Sequence, residues 1–227
     1  GESIIVDGKT GTVVVNPTEK TLLETEERRE QYEIQKALMV RKSHLPAETR
    51  DGLRISVMGN IELPEEVVSV LDHGGDGIGL YRTEFQYLSR PSFPTEKELF
   101  DRYRDVVEVM AGLPVTIRTL DIGADKLVDP IDAPPLPRGA NPALGLRAIR
   151  LCLRDIYGFK AQLRAILRAS AHGPVRCLIP MLTNLSEVIA VRRLLKASQE
   201  ELRAAGIPFD EKMPLGGMIE VPAAALA

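Results

Sequence analysis

The stretch GDGIGLYRTEF, residues 75–85, reads as one compact unit. A glycine-rich approach leads into a short strand, Gly77 to Tyr81, which is left through Arg82-Thr83-Glu84-Phe85. Working outward, the same rhythm recurs. Strand candidates lie at Ile55 to Met58, Val115 to Leu120, Cys177 to Met181 and Leu215 to Val221, with helical patterns between them. Pro64-Glu65-Glu66 starts one helix, with proline early and acids at the positive end of the dipole. Thr95 with Glu98 forms a capping box for a second that runs to about Gly112, and Asn184 with Glu187 starts a later one. Further helices fit 142–154 and 157–171. Strands alternating with helices in this way imply βαβ units and a parallel sheet. Five such strands make either an open doubly wound sheet or part of a (β/α)8 barrel, and periodicity does not choose between them. The proline-rich segment Asp129 to Pro137, between the third and fourth strands, is expected to be a functional loop.

Upstream of residue 51 the pattern differs. Ile4-Ile5-Val6 and Thr12 to Val15 flank the turn Asp7 to Gly11 and predict a hairpin. Asn16-Pro17-Thr18 then opens a charged helical stretch to about residue 44, in which Glu24 and Arg28 stand four apart. Tyr32, Leu38 and Met39 give it only a thin apolar face, as a connecting helix would have. The expected division is therefore 1–17, 18–50 and 51–227.

Over its 227 residues the chain is 44% hydrophobic and 27% charged, with a net charge of −3, the composition of an ordinary globular protein. That balance gives no sign of a nucleic-acid partner, and no apolar run reaches the ~18 residues of a membrane span. Cys152 and Cys177 provide neither a disulfide framework nor a zinc spacing, so reduced core cysteines and a cytoplasmic setting are expected.

In either fold, ligands bind at the C-terminal ends of the strands. Three strands carry charge there: Arg82 after the second, Arg118 and then Asp121 after the third, and Glu220 at the end of the fifth. Arg147 follows the proline-rich segment and can reach the same rim. Arginine's planar fork suits carboxylate and phosphate, which points to a small phosphorylated acid. A glutamate beside such a ligand repels it unless a cation lies between, and Mg²⁺ held by a carboxylate and phosphate oxygens fills that role. Taken singly, a strand-end arginine is more often a salt-bridged surface residue, and Glu84 and Asp121 are near enough to be partners. Glu220 among apolar neighbours is harder to explain as structure, because burying an unpaired carboxylate is costly.

Other features read as structural. The Gly74 to Gly79 cluster precedes its strand, so it lies at the wrong end of the sheet for a phosphate loop and fits a helix C-cap and tight turn. His73 and His172 each stand at a helix end before glycine, where a cation suits the dipole, and His44 is expected to be exposed.

The segments GDGIGLYRTEF, VTIRTLDIGADK, NPALGLRAIR and MIEVPAAA occur here in the order and rough spacing of enzyme I of the bacterial phosphotransferase system. The chain resembles that family, phosphoenolpyruvate–protein phosphotransferase, over essentially its whole length. The resemblance implies that residues 1–17 end a swivelling phosphohistidine domain, 18–50 form its connecting helix, and 51–227 begin a phosphoenolpyruvate-binding (β/α)8 barrel with about five of eight strands. It further implies that Arg82, Arg118 and Arg147 bind phosphoenolpyruvate, and that Glu220 is one of two acidic Mg²⁺ ligands. The phosphoryl group would pass to a histidine and on to a small carrier protein.

The family's phosphoacceptor histidine, second metal ligand, a further arginine and acid cysteine have no match here, and neither Cys152 nor Cys177 takes the cysteine's place. The chain is therefore expected to be an inactive part of a longer parent. Ala124, in GADK, and LPAETRDG (residues 45–52) lean toward the nitrogen-related branch of the family. Open parallel edges on an incomplete barrel predict a homodimer or swapped oligomer. The alternatives are a barrel like that of pyruvate–phosphate dikinase or phosphoenolpyruvate synthase, and a non-enzymatic dimerisation or regulatory fragment.

Overall fold

The computed structural model describes residues 3–88, 90, 92–123 and 145–226. The proline-rich segment, Ala124 and residues 141–144 of NPALGLRAIR lie outside the described residues. The chain divides between Pro46 and Ala47 into two compact units.

The first unit holds an antiparallel hairpin, β1 (Ile4–Asp7) and β2 (Thr12–Val15), and the helix α1 (Glu19–Lys42). Asp7 shapes the hairpin turn by accepting the N–H groups of Lys9 and Thr10 at 2.9 and 3.1 Å. Thr18 caps α1 by accepting from the Thr21 N–H, as the sequence predicts. None of its residues is buried. Arg28 donates to the backbone carbonyl of Glu24, not to its carboxylate, and Glu24 pairs instead with Lys20.

The second unit is an α/β layer structure. Its sheet has five strands in sequential order, β3 (Gly59–Ile61), β4 (Ile78–Arg82), β5 (Val115–Arg118), β6 (Val175–Ile179) and β7 (Leu215–Gly217), each parallel to the next. Helices fill the connections: α2 (Glu66–Asp72), α3 (Glu96–Val109), α4 (Ala148–Arg154), α5 (Ile156–Ala169) and α6 (Leu185–Ala204), with α7 (Pro222–Leu226) after β7. The order never reverses, so these strands contain no switch point of the doubly wound kind. Among the described residues no helix is long and apolar enough to cross a membrane.

Local chemistry explains the elements. Thr95 and Asn184 both close capping boxes, with Glu98 and Glu187 reaching back to the cap N–H. His73 caps the end of α2, with its Nδ1 2.7 Å from the Ser69 carbonyl oxygen. Gly77, at φ 154°, enters β4 where a Cβ would sit 2.6 Å from the Pro114 carbonyl oxygen, so the glycine is sterically required. The Gly74–Gly79 cluster is thus a turn at the N-terminal end of the sheet. His172 pairs through Nδ1 with Glu108 at 2.8 Å.

Three boundaries differ from the sequence reading. Residues 55–58 are not a strand: the Val57 N–H goes to the Asp76 carboxylate, and Ile55 bonds back to Ala47. The sheet begins four residues later, at Gly59. β5 stops at Arg118: the Thr119 N–H still reaches the Leu178 carbonyl of β6, and the Leu120 N–H turns away to the side chain of Gln162. β7 stops at Gly217, so Glu220 lies in the turn beyond the strand.

The core lies between the sheet and its helices. Ile78, Tyr81, Val115, Ile117, Val175, Cys177 and Ile179 of the strands meet Leu99, Tyr103, Val106 and Val107 of α3 and Phe159, Leu163 and Ile166 of α5. Cys152 and Cys177 are free and buried, and burial pushes both thiols up to about 12, as inert core residues. Between the outer helices, Glu96 of α3 pairs with Arg164 and Arg168 of α5 at 2.6 and 2.8 Å. Leu163→Ala, in the middle of this core, is expected to cost about 2–5 kcal/mol. A urea titration followed by circular dichroism checks this, and an unchanged midpoint would contradict the assignment.

Candidate functional site

Parallel pairing brings the ends of all five strands to one rim. Its register sets Arg82 directly opposite Arg118 on neighbouring strands. Arg118 is largely buried: its Nη2 donates to Glu84 Oε1 at 2.8 Å, and its Nη1 lies 3.5 Å from Asp121 Oδ2. Asp121 also accepts from Arg147 Nε at 2.7 Å. Arg147 precedes α4, and its backbone bridges to Gly123, which ties it to the loop leaving β5. Arg82 pairs with Glu62, the first residue after β3. Glu84 accepts from the Asp121 N–H as well, closing the network.

The structure therefore brings Arg82, Arg118 and Arg147 to one rim, and supplies each with a carboxylate partner. Salt-bridged arginines were the plainer expectation, and Glu84 and Asp121 are the partners it named. One feature exceeds it. The buried Nε atoms of Arg82 and Arg118 have no hydrogen-bond partner among the described residues. A buried donor left unmatched is unfavourable, and each of these two arginines carries one.

Glu220 corrects an expectation. It is exposed, not buried among apolar neighbours, and its Oε1 accepts the Met181 N–H at 2.8 Å. Met181 is in the left-handed region at φ 58°, as is Ala148 at φ 48°, and together with Val221 these residues form a small buried cluster of their own. Each of the three is beside a rim group or holds one, and strained backbone of this kind gathers at functional sites. Glu220 also belongs electrostatically with the arginines. The Asp121 hydrogen bond, opposed by partial burial, raises the Arg147 guanidinium above its ordinary value, and the charges of Glu220 and Glu84 add to that. Burial pushes the Glu84 carboxyl above the usual range, with the Arg118 charge opposing.

Sequence reasoning missed Glu62 and Gln162. Glu62 was hidden by the displaced first strand, since the stretch GNIE ends its strand at Ile61 only once the sheet is known to start at Gly59. Gln162 had a legible signal: it is the polar member of the otherwise apolar stripe Phe159, Leu163 and Ile166 on α5. Among the described residues no three His, Cys, Asp or Glu side chains gather into a metal-binding group.

Known proteins resemble this chain over nearly its whole length. Residues 36–227 match the family described as PEP-utilising enzyme, PEP-binding domain. The phosphoenolpyruvate-protein phosphotransferase of Geobacillus stearothermophilus is 42% identical over 226 residues, covering 100% of this chain and 39% of that protein. The proteins of the same name from Cupriavidus necator and Bacillus subtilis (strain 168) are 46% and 41% identical, with 38% and 39% of their lengths covered. The chain thus spans about 39% of the length of curated relatives that it matches nearly end to end. The resemblance to phosphoenolpyruvate–protein phosphotransferase is borne out, and the chain belongs to the PEP-utilising enzyme family through its PEP-binding domain.

Proposed function

We propose that this chain is the phosphoenolpyruvate-binding part of a phosphotransferase that moves phosphoryl from phosphoenolpyruvate to a histidine and on to a small carrier protein. Arg82, Arg118 and Arg147 hold the substrate, and Glu220 holds Mg²⁺. The observation that carries this reading is the register pairing of Arg82 with Arg118, each with a buried Nε that has no partner among the described residues. Two guanidinium groups on adjacent strand ends form a fixed bidentate clamp for the carboxylate and phosphate of one small ligand. Glu84 and Asp121 orient Arg118 and Arg147 in advance, so little reorganisation is needed when the ligand arrives.

Glu220 fits Mg²⁺. Its carboxylate is exposed and steadied through one oxygen by the Met181 N–H, and a Mg²⁺ site of one or two carboxylates with substrate oxygens needs no larger cluster. When bound, the ion would neutralise charge on the phosphoryl oxygens. The chain's own residues bind and orient the substrate and spread its charge, which is most of what phosphoryl transfer requires of a protein.

For the fold, we infer an incomplete (β/α)8 barrel. Five parallel strands in unbroken sequential order support it, because right-handed crossovers then put every helix on one face of the sheet. The names of the relatives favour the phosphotransferase over a dikinase-like barrel.

Isothermal titration with phosphoenolpyruvate and Mg²⁺ is expected to show binding by the chain and at least a tenfold loss in Arg118→Ala, about 1.4 kcal/mol. Equal affinity would sink the site. Glu220→Gln is expected to abolish the gain in affinity on adding Mg²⁺ while leaving metal-free affinity unchanged. The edge strands β3 and β7 each pair on one side only among the described residues, which favours self-association. Light scattering is expected to give a dimer or larger species, and a clean monomer would count against it.

A further inference from the structure

Gln162 is 1% exposed on the core-facing stripe of α5, where a leucine would pack without any polar cost. Its amide is instead nearly fully used. Oε1 accepts the Leu120 N–H at 3.0 Å, and Nε2 donates to Thr83 Oγ1 and to the Tyr103 hydroxyl, both at 3.1 Å. Thr83 Oγ1 in turn donates to the Arg118 carbonyl oxygen at 3.0 Å. Thr83 follows Arg82 directly, and Leu120 is two residues beyond Arg118. One side chain from the helix layer therefore grips the chain just after both arginines. Through Thr83 it also reaches the backbone of Arg118 itself.

The fully buried setting makes these bonds exacting. A donor or acceptor that loses its partner there is left unmatched and out of reach of water, so the two strand ends are held to one spacing. The Thr119 N–H still reaches the Leu178 carbonyl of β6, but the next N–H, that of Leu120, goes to Gln162 and not to a strand, so Gln162 holds the chain where it leaves the sheet. Tyr103 joins α3 to the same point.

We infer that Gln162 is a positioning residue that sets the separation and aim of the Arg82–Arg118 clamp. It touches no ligand and acts through Thr83 and Leu120. The inference rests on the proposed binding of phosphoenolpyruvate at this rim, and a displacement of about 1 Å at such a site can cost 10²-fold in activity.

The test uses the 227-residue chain, with Gln162→Met as a side chain of similar length that cannot replace the amide's hydrogen bonds. Two readings are taken where circular dichroism shows each protein fully folded. The first follows the arginine Nε–H resonances by NMR without ligand, assigned by Arg82→Lys and Arg118→Lys. Those of Arg82 and Arg118 are expected to shift in Gln162→Met while that of Arg203, on α6, stays in place. The second titrates phosphoenolpyruvate with Mg²⁺, and affinity is expected to fall about tenfold. Unmoved Arg82 and Arg118 resonances overturn the inference, and so do shifted resonances with unchanged affinity. If the unsubstituted chain does not bind phosphoenolpyruvate, the binding proposal fails, and the resonances alone decide the positioning role. If Gln162→Met does not fold, Thr83→Val removes the hydroxyl link while keeping the side-chain shape, and the same two readings decide.

Discussion

The pairing of β4 with β5, with Arg82 opposite Arg118, is the constraint on which the rest of the second unit depends. Parallel strands cannot be joined by tight turns, so each needs a helical crossover and each ends on the same side of the sheet. That arrangement buries the strands' apolar residues under α3 and α5 and leaves the polar exits together. Glu62, Arg82, Arg118, Asp121 and Glu220 come from four different strand exits, yet meet on one rim because the sheet has only one such end.

The charges at that rim are balanced before any ligand arrives. Each arginine has a carboxylate, and Asp121 is shared between Arg118 and Arg147. Such pairs contribute little to stability: solvent screens the partly exposed Arg82–Glu62 pair, and for the buried Arg118 pairs removing charge from water offsets much of the attraction. Their effect is on orientation: guanidinium groups held by carboxylates cannot fold away. Glu84 illustrates the strain involved, since burial raises its carboxyl despite the Arg118 charge beside it. In the proposed site, an incoming anion meets donors that are already aimed.

Much of this was legible in the residues. The capping boxes at Thr95 and Asn184, the hairpin turn at Asp7 and the alternation of strands with helices are local patterns, and local patterns survive folding. The first sheet strand was misplaced because Ile55 to Met58 has strand-like residues, while its N–H groups are claimed by Asp76 and Ala47 from elsewhere. Glu220 was expected to be a buried charge because its neighbours are apolar. The turn that follows Gly217 turns it outward to meet Met181. Gln162 stood in plain view as a polar break in an apolar stripe, but a stripe does not say which distant N–H the break will meet.

The sequence by itself determined the class of fold, the strand exits that carry arginine and the family, because these rest on periodicity and on motifs of consecutive residues. Only the tertiary structure decided that Arg82 faces Arg118, that Glu62 pairs with Arg82 and Asp121 with Arg147, and that Gln162 ties both exits to the helix layer. Those relations depend on register and on contacts across many tens of residues. No run of neighbouring residues encodes them, and the sheet fixes them only when its strands pair.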